Sequence, residues 1–199
     1  MPSEPGSVVA IVLAAGSSRR MGRNKLLLDL GGESVVRRAV RRAAESSVDR
    51  VLVVVGHEAG RVEGELRGLP CTTVPNPDHE RGAGTSLRAG VREALPLAGA
   101  VVVLLADMPF VESSMITAVV DHHRTTGAGL VLSFYGEVQA PPTLYSRAYF
   151  QELLAVSDEG CAKKLVRRHQ GEAAVLHWPT SSLRDLDLEG DYEELAPKA

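Results

Sequence analysis

Val8-Val9-Ala10-Ile11-Val12-Leu13, running without a break into Ala14-Ala15-Gly16-Ser17-Ser18-Arg19-Arg20-Met21-Gly22-Arg23-Asn24-Lys25, carries the strongest architectural signal in this chain. The first six residues are apolar throughout and rich in β-branched types, the pattern of a strand buried on both faces. The glycine- and serine-rich segment after them therefore leaves the carboxyl end of a sheet strand, where open α/β sheets place their ligands. Small residues there let backbone N–H groups approach phosphate oxygens, and Arg20 and Lys25 supply positive charge. No Gly-Lys-Ser/Thr succeeds the glycines, which excludes a Walker A loop, and the spacing is not Gly-x-Gly-x-x-Gly. The stretch reads as a cradle for a nucleoside triphosphate, with a glycine/serine turn carrying surface arginines as the plain alternative.

The rest of the chain fits that start. Its 199 residues suit one domain with a sizeable core. Hydrophobic residues at 44% and charged residues at 24% are ordinary for a soluble globular protein, and aromatics at 4% mean a core built from Val, Leu and Ala. Met1 to Ser7, rich in Pro, Gly and Ser, is expected to be a disordered N-terminus without signal-peptide character. No apolar run approaches membrane-spanning length, so a cytoplasmic protein with no membrane partner is expected. A net charge of −3 argues against nucleic acid as a partner. Arg37-Arg38 and Arg41-Arg42 alternate with Val35-Val36, Ala39-Val40 and Ala43-Ala44, which predicts a helix with an apolar face and a solvated basic one. Cys71 and Cys161 lack metal or disulfide spacing, and the six histidines lack ligand spacing. His57 and His79 are left as pocket-lining or surface residues.

Short apolar runs alternate with helix-period segments, which predicts an α/β, Rossmann-like single domain with a mostly parallel central sheet and helices on both faces. Strands are expected at 8–13, 51–55, 71–74, 100–106, 130–134 and 174–178, with an extended stretch at 139–145 interrupted by Pro141-Pro142. Helices are expected at 34–46, 61–67, 86–94, 112–124, 147–155 and 161–169, the one from Ser86 presenting free N–H donors at its start. Arg184 to Asp187 is expected to be extended before a short terminal helix. The domain spans 8–195, with a nucleotide half at about 8–110 and an acceptor half at about 111–195.

The run Ala100 to Ala106 delivers Asp107 at a strand end with Met108-Pro109 turning the chain away. If this strand lies parallel to and near the first, the carboxylate stands beside the triphosphate. There it can hold a hard divalent cation, Mg2+, against the charge that nucleotidyl transfer develops. A helix-cap aspartate is the alternative.

The pattern L-A-A-G-x-S-x-R-M-G-x-x-K from Leu13 to Lys25 resembles the signature of the molybdenum cofactor nucleotidylyltransferases, the MobA-like NTP transferases, and most of all their cytidylyltransferase branch. Guanylyltransferase relatives usually read L-A-G-G, and the methyl of Ala15 would narrow the base pocket against a purine. Leu105-Ala106-Asp107-Met108-Pro109 is similar to the family's L-x-D-x-P segment, whose aspartate binds magnesium. Asp185-Leu186-Asp187-Leu188-Glu189-Gly190-Asp191-Tyr192 is similar to its D-I-D-T-P-E-D-Y ending. The resemblance implies that Asp187, with Asp185 second, completes the metal site; by the residues alone, Asp185, Asp187 and Asp191 serve equally as helix-start carboxylates. Asn76-Pro77 and Gly82 to Leu87 resemble the N-P-x-x-x-x-G-x-x-x-S-L segment that lies along the nucleotide.

The resemblance implies a Mg2+-dependent transfer of CMP from CTP to the phosphate of molybdopterin, with a molybdenum enzyme or its maturation chaperone as a further partner. Nucleotide-binding residues are then Leu13, Ala14, Ala15, Gly16, Ser17, Arg20, Lys25, Asn76, Gly82 and Ser86. Arg20, Lys25 and Asp107 carry the chemistry, and Asp107 and Asp187 bind the metal. The resemblance weakens after Phe134. Gln139-Ala140-Pro141-Pro142 stands where the family has G-H-P, and Ser157-Asp158-Glu159-Gly160-Cys161 where it has G-D-x-G-A. A GTP-dependent enzyme, a sugar or alditol phosphate nucleotidylyltransferase and a non-catalytic nucleotide-binding module are the rivals.

Overall fold

A strand buried on both faces needs a neighbour on each edge and helices above and below, and β1 (Val8–Ala14) has all four. The computed structural model describes residues 6–17, 23–160 and 162–183. Within them β1 pairs in parallel with β2 (Arg50–Val55) on one side and β4 (Ala100–Leu105) on the other. β3 (Thr72–Pro75) extends the parallel ladder beyond β2. β6 (Val138–Ser146) runs antiparallel between β4 and β5 (Leu130–Tyr135), and β7 (Ala174–Trp178) lies parallel to β5. The order is β3-β2-β1-β4-β6-β5-β7, and β6 alone among these strands is reversed. This is the single, mostly parallel α/β domain that the strand–helix alternation predicts.

Alternate residues of β1 serve opposite faces. Val8, Ala10 and Val12 pack with α1 (Val35–Ala44), α2 (Ala59–Glu65) and α4 (Ser113–Thr126). Val9 and Ile11 pack with α3 (Ala83–Ala94), α5 (Phe150–Leu154) and α6 (Lys163–His169). Residues 8–12 are all 0% exposed. Burying each such Val or Ile stabilises the fold by about 1.5–3 kcal/mol, so this one strand anchors both layers.

Several expectations need correction. The α1 arginines do not form a merely solvated face. Arg37 donates to the carbonyls of Glu65 and Arg67, Arg38 and Arg41 pair with Glu33, and Arg42 donates to the carbonyls of Pro109 and Val111 and pairs with Glu112. Helix periodicity places these side chains outward but says nothing of the loops that come to meet them. Glu33 is held below the usual carboxylate range by Arg41 and, with it, Arg38, against partial desolvation. The 147–155 stretch divides into a 3-10 turn, Arg147–Tyr149, and the short α5. Residues 1–5 of the N-terminus, Cys161 and the 184–199 segment lie outside the described residues.

Pro141-Pro142 does not interrupt β6, because the neighbouring strand supplies what the ladder lacks. Ser133 Oγ donates to the Pro142 carbonyl and Tyr135 Oη to the Pro141 carbonyl, each at 2.7 Å, beside a register shift between Val131 and Ser133. Ser133 and Tyr135 are 0% and 1% exposed, and burial pushes the Tyr135 phenol well above its ordinary range, so it stays a donor. Ser133→Ala and Tyr135→Phe should each lower unfolding free energy by about 1–3 kcal/mol in urea titrations, because each leaves a proline carbonyl without its donor.

Candidate nucleotide-transfer site

The loop after β1 is tied at its base to both neighbouring strands. The Ala106 amide donates to the Leu13 carbonyl (3.1 Å) and the His57 amide to the Ala15 carbonyl (3.3 Å). Ala14 and Ala15 are buried, Gly16 is exposed, and Leu13 and Ser17 are half-buried, so Gly16 offers bare backbone to solvent. The buried Ala15 methyl and the His79 side chain both lie against Gly56, where a Cβ would strike them. Arg20 lies outside the described residues.

Chain returning from the loop is fixed by Asn24, which sequence reasoning passed over. It is buried, and its Oδ1 accepts from the Leu26 amide (3.2 Å), capping the 3-10 turn Lys25–Leu27 whose Leu26 is buried. Asn–Lys–Leu thus anchors Lys25 on both sides. Its Nζ stands 2.6 Å from Asp107 Oδ2, and the two side chains are 14% and 24% exposed. Asp107 lies just past the end of β4, and register pairs Leu13 with Leu105 directly. A compact cation and a carboxylate, separated by 82 positions in sequence, thus meet at the carboxyl ends of two adjacent parallel strands. Such a pair can divide its work between phosphate oxygens and a hard divalent cation. Asp107 offers an oxygen donor of the kind Mg2+ prefers. No group of three His, Cys, Asp or Glu converges among the described residues. Asp187 lies outside the described residues.

The second glycine-rich segment is held from within. Asn76 Nδ2 donates to Thr85 Oγ1 and Ser86 Oγ, each at 2.9 Å, and Asn76 Oδ1 accepts from the Asp78 amide. Asn76, Thr85 and Ser86 are all buried, so Asn76 and Ser86 shape the segment between β3 and α3 from within. α3 begins at Ala83 rather than Ser86, which places Ser86 inside its first turn. The expected free donors are partly used, since the Gly84 amide donates to the Asp158 carbonyl at 2.8 Å. Gly82 has φ +133°, and a Cβ on Gly84 would strike the Ser157 carbonyl, so side chains are excluded where the 157–160 turn crosses.

That turn is clamped by charge. Asp158 Oδ1 pairs with Arg88, and Oδ2 lies 2.5 Å from Arg81, while Arg88 also donates to the Val156 carbonyl. Arg88, then Arg81, hold the Asp158 carboxyl below the usual range against desolvation. In the sequence this turn stands out only as a departure from the family pattern; nothing local to it names an arginine 70 positions away as its partner. His57 and His79 stand with ring centroids 6.4 Å apart, and His79 covers Gly56.

Residues 10–174 match the model of the MobA-like NTP transferase domain. The purine catabolism protein PucB of Bacillus subtilis is 34% identical over 198 residues, covering 94% of each chain. The bifunctional protein GlmU of Corynebacterium diphtheriae is 28% identical over 87% of this chain, which spans 36% of GlmU. The crystal structure of Rv0371c from Mycobacterium tuberculosis superimposes with a TM-score of 0.86 at 25% identity over the whole of both chains, and that protein is also solved in complex with manganese.

Asp158→Ala should release the start of α3, seen as faster exchange of the Gly84 amide by about tenfold in hydrogen-exchange measurements. The Asp158 pKa is depressed in the fold, so its contribution is present above the ordinary carboxylate value of about 4 and is lost as pH falls through the lowered one. The wild type should show that acid step in Gly84 exchange, and the alanine variant should lack it.

Proposed function

This chain belongs to the family of MobA-like NTP transferase domains, and we propose that it is a Mg2+-dependent cytidylyltransferase that transfers CMP from CTP to the terminal phosphate of molybdopterin or its molybdenum form. The observation that carries the reading is the Lys25–Asp107 pair at 2.6 Å, held where β1 and β4 end side by side. In the reaction, an oxygen of the acceptor phosphate attacks the α-phosphorus of CTP. The bond to the bridging α–β oxygen breaks, and pyrophosphate leaves with that electron pair. The nucleophile is already anionic, so no general base is needed, and positioning and charge neutralisation carry the acceleration.

Lys25 takes the phosphate oxygens as a point charge, with Arg20 as the second cation, and the backbone of Ala15, Gly16 and Ser17 lies along them. Asp107 would hold Mg2+, with Asp187 as its second carboxylate, and the ion would supply positive charge to the phosphate oxygens as they gain negative charge. With nucleotide bound, Lys25 would turn from Asp107 to phosphate and leave that carboxylate free for the ion. The cytosine preference rests on the L-A-A-G reading, with Ala15 filling the floor below the base side of the loop. A sugar or alditol phosphate acceptor is the second reading.

Pyrophosphate release, measured side by side with CTP and GTP in the presence of Mg2+ and molybdenum cofactor, tests reaction, base and acceptor together. Release with CTP alone is expected. Release with GTP would move the enzyme to the guanylyl branch, release with a sugar phosphate alone would change the acceptor, and tight Mg-nucleotide binding without release would leave a binding module. Asp107→Asn should lower turnover at least about 100-fold at matched magnesium, and Lys25→Ala should weaken CTP binding about tenfold or more.

A further inference from the structure

The turn that carries Asp107 is tied to the sheet on one side and to a single arginine of α1 on the other. Toward the sheet, the Ala106 amide donates to the Leu13 carbonyl at 3.1 Å, and the Met108 amide folds back to the Leu105 carbonyl at 3.2 Å. Ala106 and Met108, which flank the carboxylate, are 0% and 4% exposed. The chain then turns once more, with the Val111 amide donating to the Met108 carbonyl at 3.2 Å, and enters α4 after Glu112. Pro109 and Val111 are both buried, and their carbonyls accept from Arg42 Nη1 at 3.0 and 3.2 Å. The same nitrogen stands 3.0 Å from Glu112 Oε1, and the Arg42 side chain is 16% exposed. One guanidinium nitrogen, charged at every working pH, thus gathers three oxygens of the 109–112 segment from a helix 67 positions away.

α1 supplies its own comparison. Arg37 also donates through Nη1 to two carbonyls, those of Glu65 at 2.6 Å and Arg67 at 3.1 Å, but these belong to the end of α2 and the turn after it. Two arginines of one helix therefore perform the same chemistry on two turns, of which one bears a proposed metal ligand. A small divalent cation such as Mg2+ tolerates little displacement of its oxygen donors. Groups that orient a ligating side chain from outside the coordination shell change metal affinity by about 10–100-fold when they are lost.

We propose that Arg42 is a positioning residue for the Asp107 carboxylate. It acts through the Pro109 and Val111 carbonyls, holding the turn so that Asp107 presents its oxygens to the metal at the end of β4. The inference rests on the metal role proposed for Asp107, and it gives a side chain of α1 a part in the transfer site.

Calorimetric titration of the full chain with CTP, once with Mg2+ and once with EDTA, yields the factor by which metal strengthens nucleotide binding. In Arg42→Met that factor should fall about tenfold or more, while the dissociation constant in EDTA changes less than about twofold. Arg42→Lys, which keeps a cation and N–H donors near the turn, should recover most of the loss. Arg37→Met removes the corresponding carbonyl contacts at α2 and should leave the factor unchanged. If Arg42 merely stabilised the fold, the two methionine variants would behave alike. Amide exchange reads the turn without metal: Met108, measured relative to Ile11 in β1, should exchange about tenfold faster in Arg42→Met and not in Arg37→Met. An unchanged factor in Arg42→Met where Asp107→Asn abolishes it, or unchanged Met108 exchange, would overturn the inference alone. A factor that Asp107→Asn leaves whole would overturn the metal reading of Asp107 and this inference with it.

Discussion

The constraint on which the molecule depends is the burial of β1 from both sides and both edges at once. A strand with no exposed face must receive helices above and below, and its two edges must be completed in register by β2 and β4. That register sets Leu13 opposite both Val54 and Leu105, so the loop after β1, the end of β2 and the start of the Asp107 turn emerge at one level. The site is therefore a by-product of closing the centre of the sheet. Its residues come from distant positions, but the parallel ladders leave them little freedom in where to appear.

Around this centre, electrostatics joins elements that hydrophobic packing alone would leave loosely placed. Glu33 gathers Arg38 and Arg41, Arg42 reaches the 109–112 turn after Asp107, and Asp158 gathers Arg81 and Arg88. The last of these fastens the 157–160 turn onto the glycine-rich start of α3. Glycine at 82 and 84 permits that approach, and the arginines hold it. The turn that makes this approach is one of the two segments that depart from the family pattern.

The same division of labour runs through the cleft. Among the described residues one end of it carries Lys25 and Asp107, groups suited to oxygen anions and a hard cation. Its far end is apolar along the sheet and basic along α6. Gln139-Ala140-Pro141-Pro142 and α6 build this far end, and the Ser133 and Tyr135 hydroxyls keep the two prolines inside a continuous strand.

Much of this was legible in the residues themselves. Unbroken Val/Ile/Leu runs named the buried strands, their alternation with helix-period segments named a mostly parallel sheet, and small residues after β1 with Asp107 after β4 named the rim where a ligand belongs. Periodicity and turn chemistry suffice there because those features depend on local sequence and on the near-universal geometry of parallel sheets. The start of α3, the use of the Gly84 amide, the partners of the α1 arginines and the Asp158 joint were not legible. Each depends on which distant backbone or side chain arrives alongside, which pattern along the chain does not encode. Sequence by itself determined the architecture and the chemical types present at the rim. Only tertiary structure decided that Lys25 and Asp107 touch, that 157–160 closes over Gly82 and Gly84, and that Arg42 reaches the turn behind Asp107, because contact between remote residues is settled by packing in three dimensions.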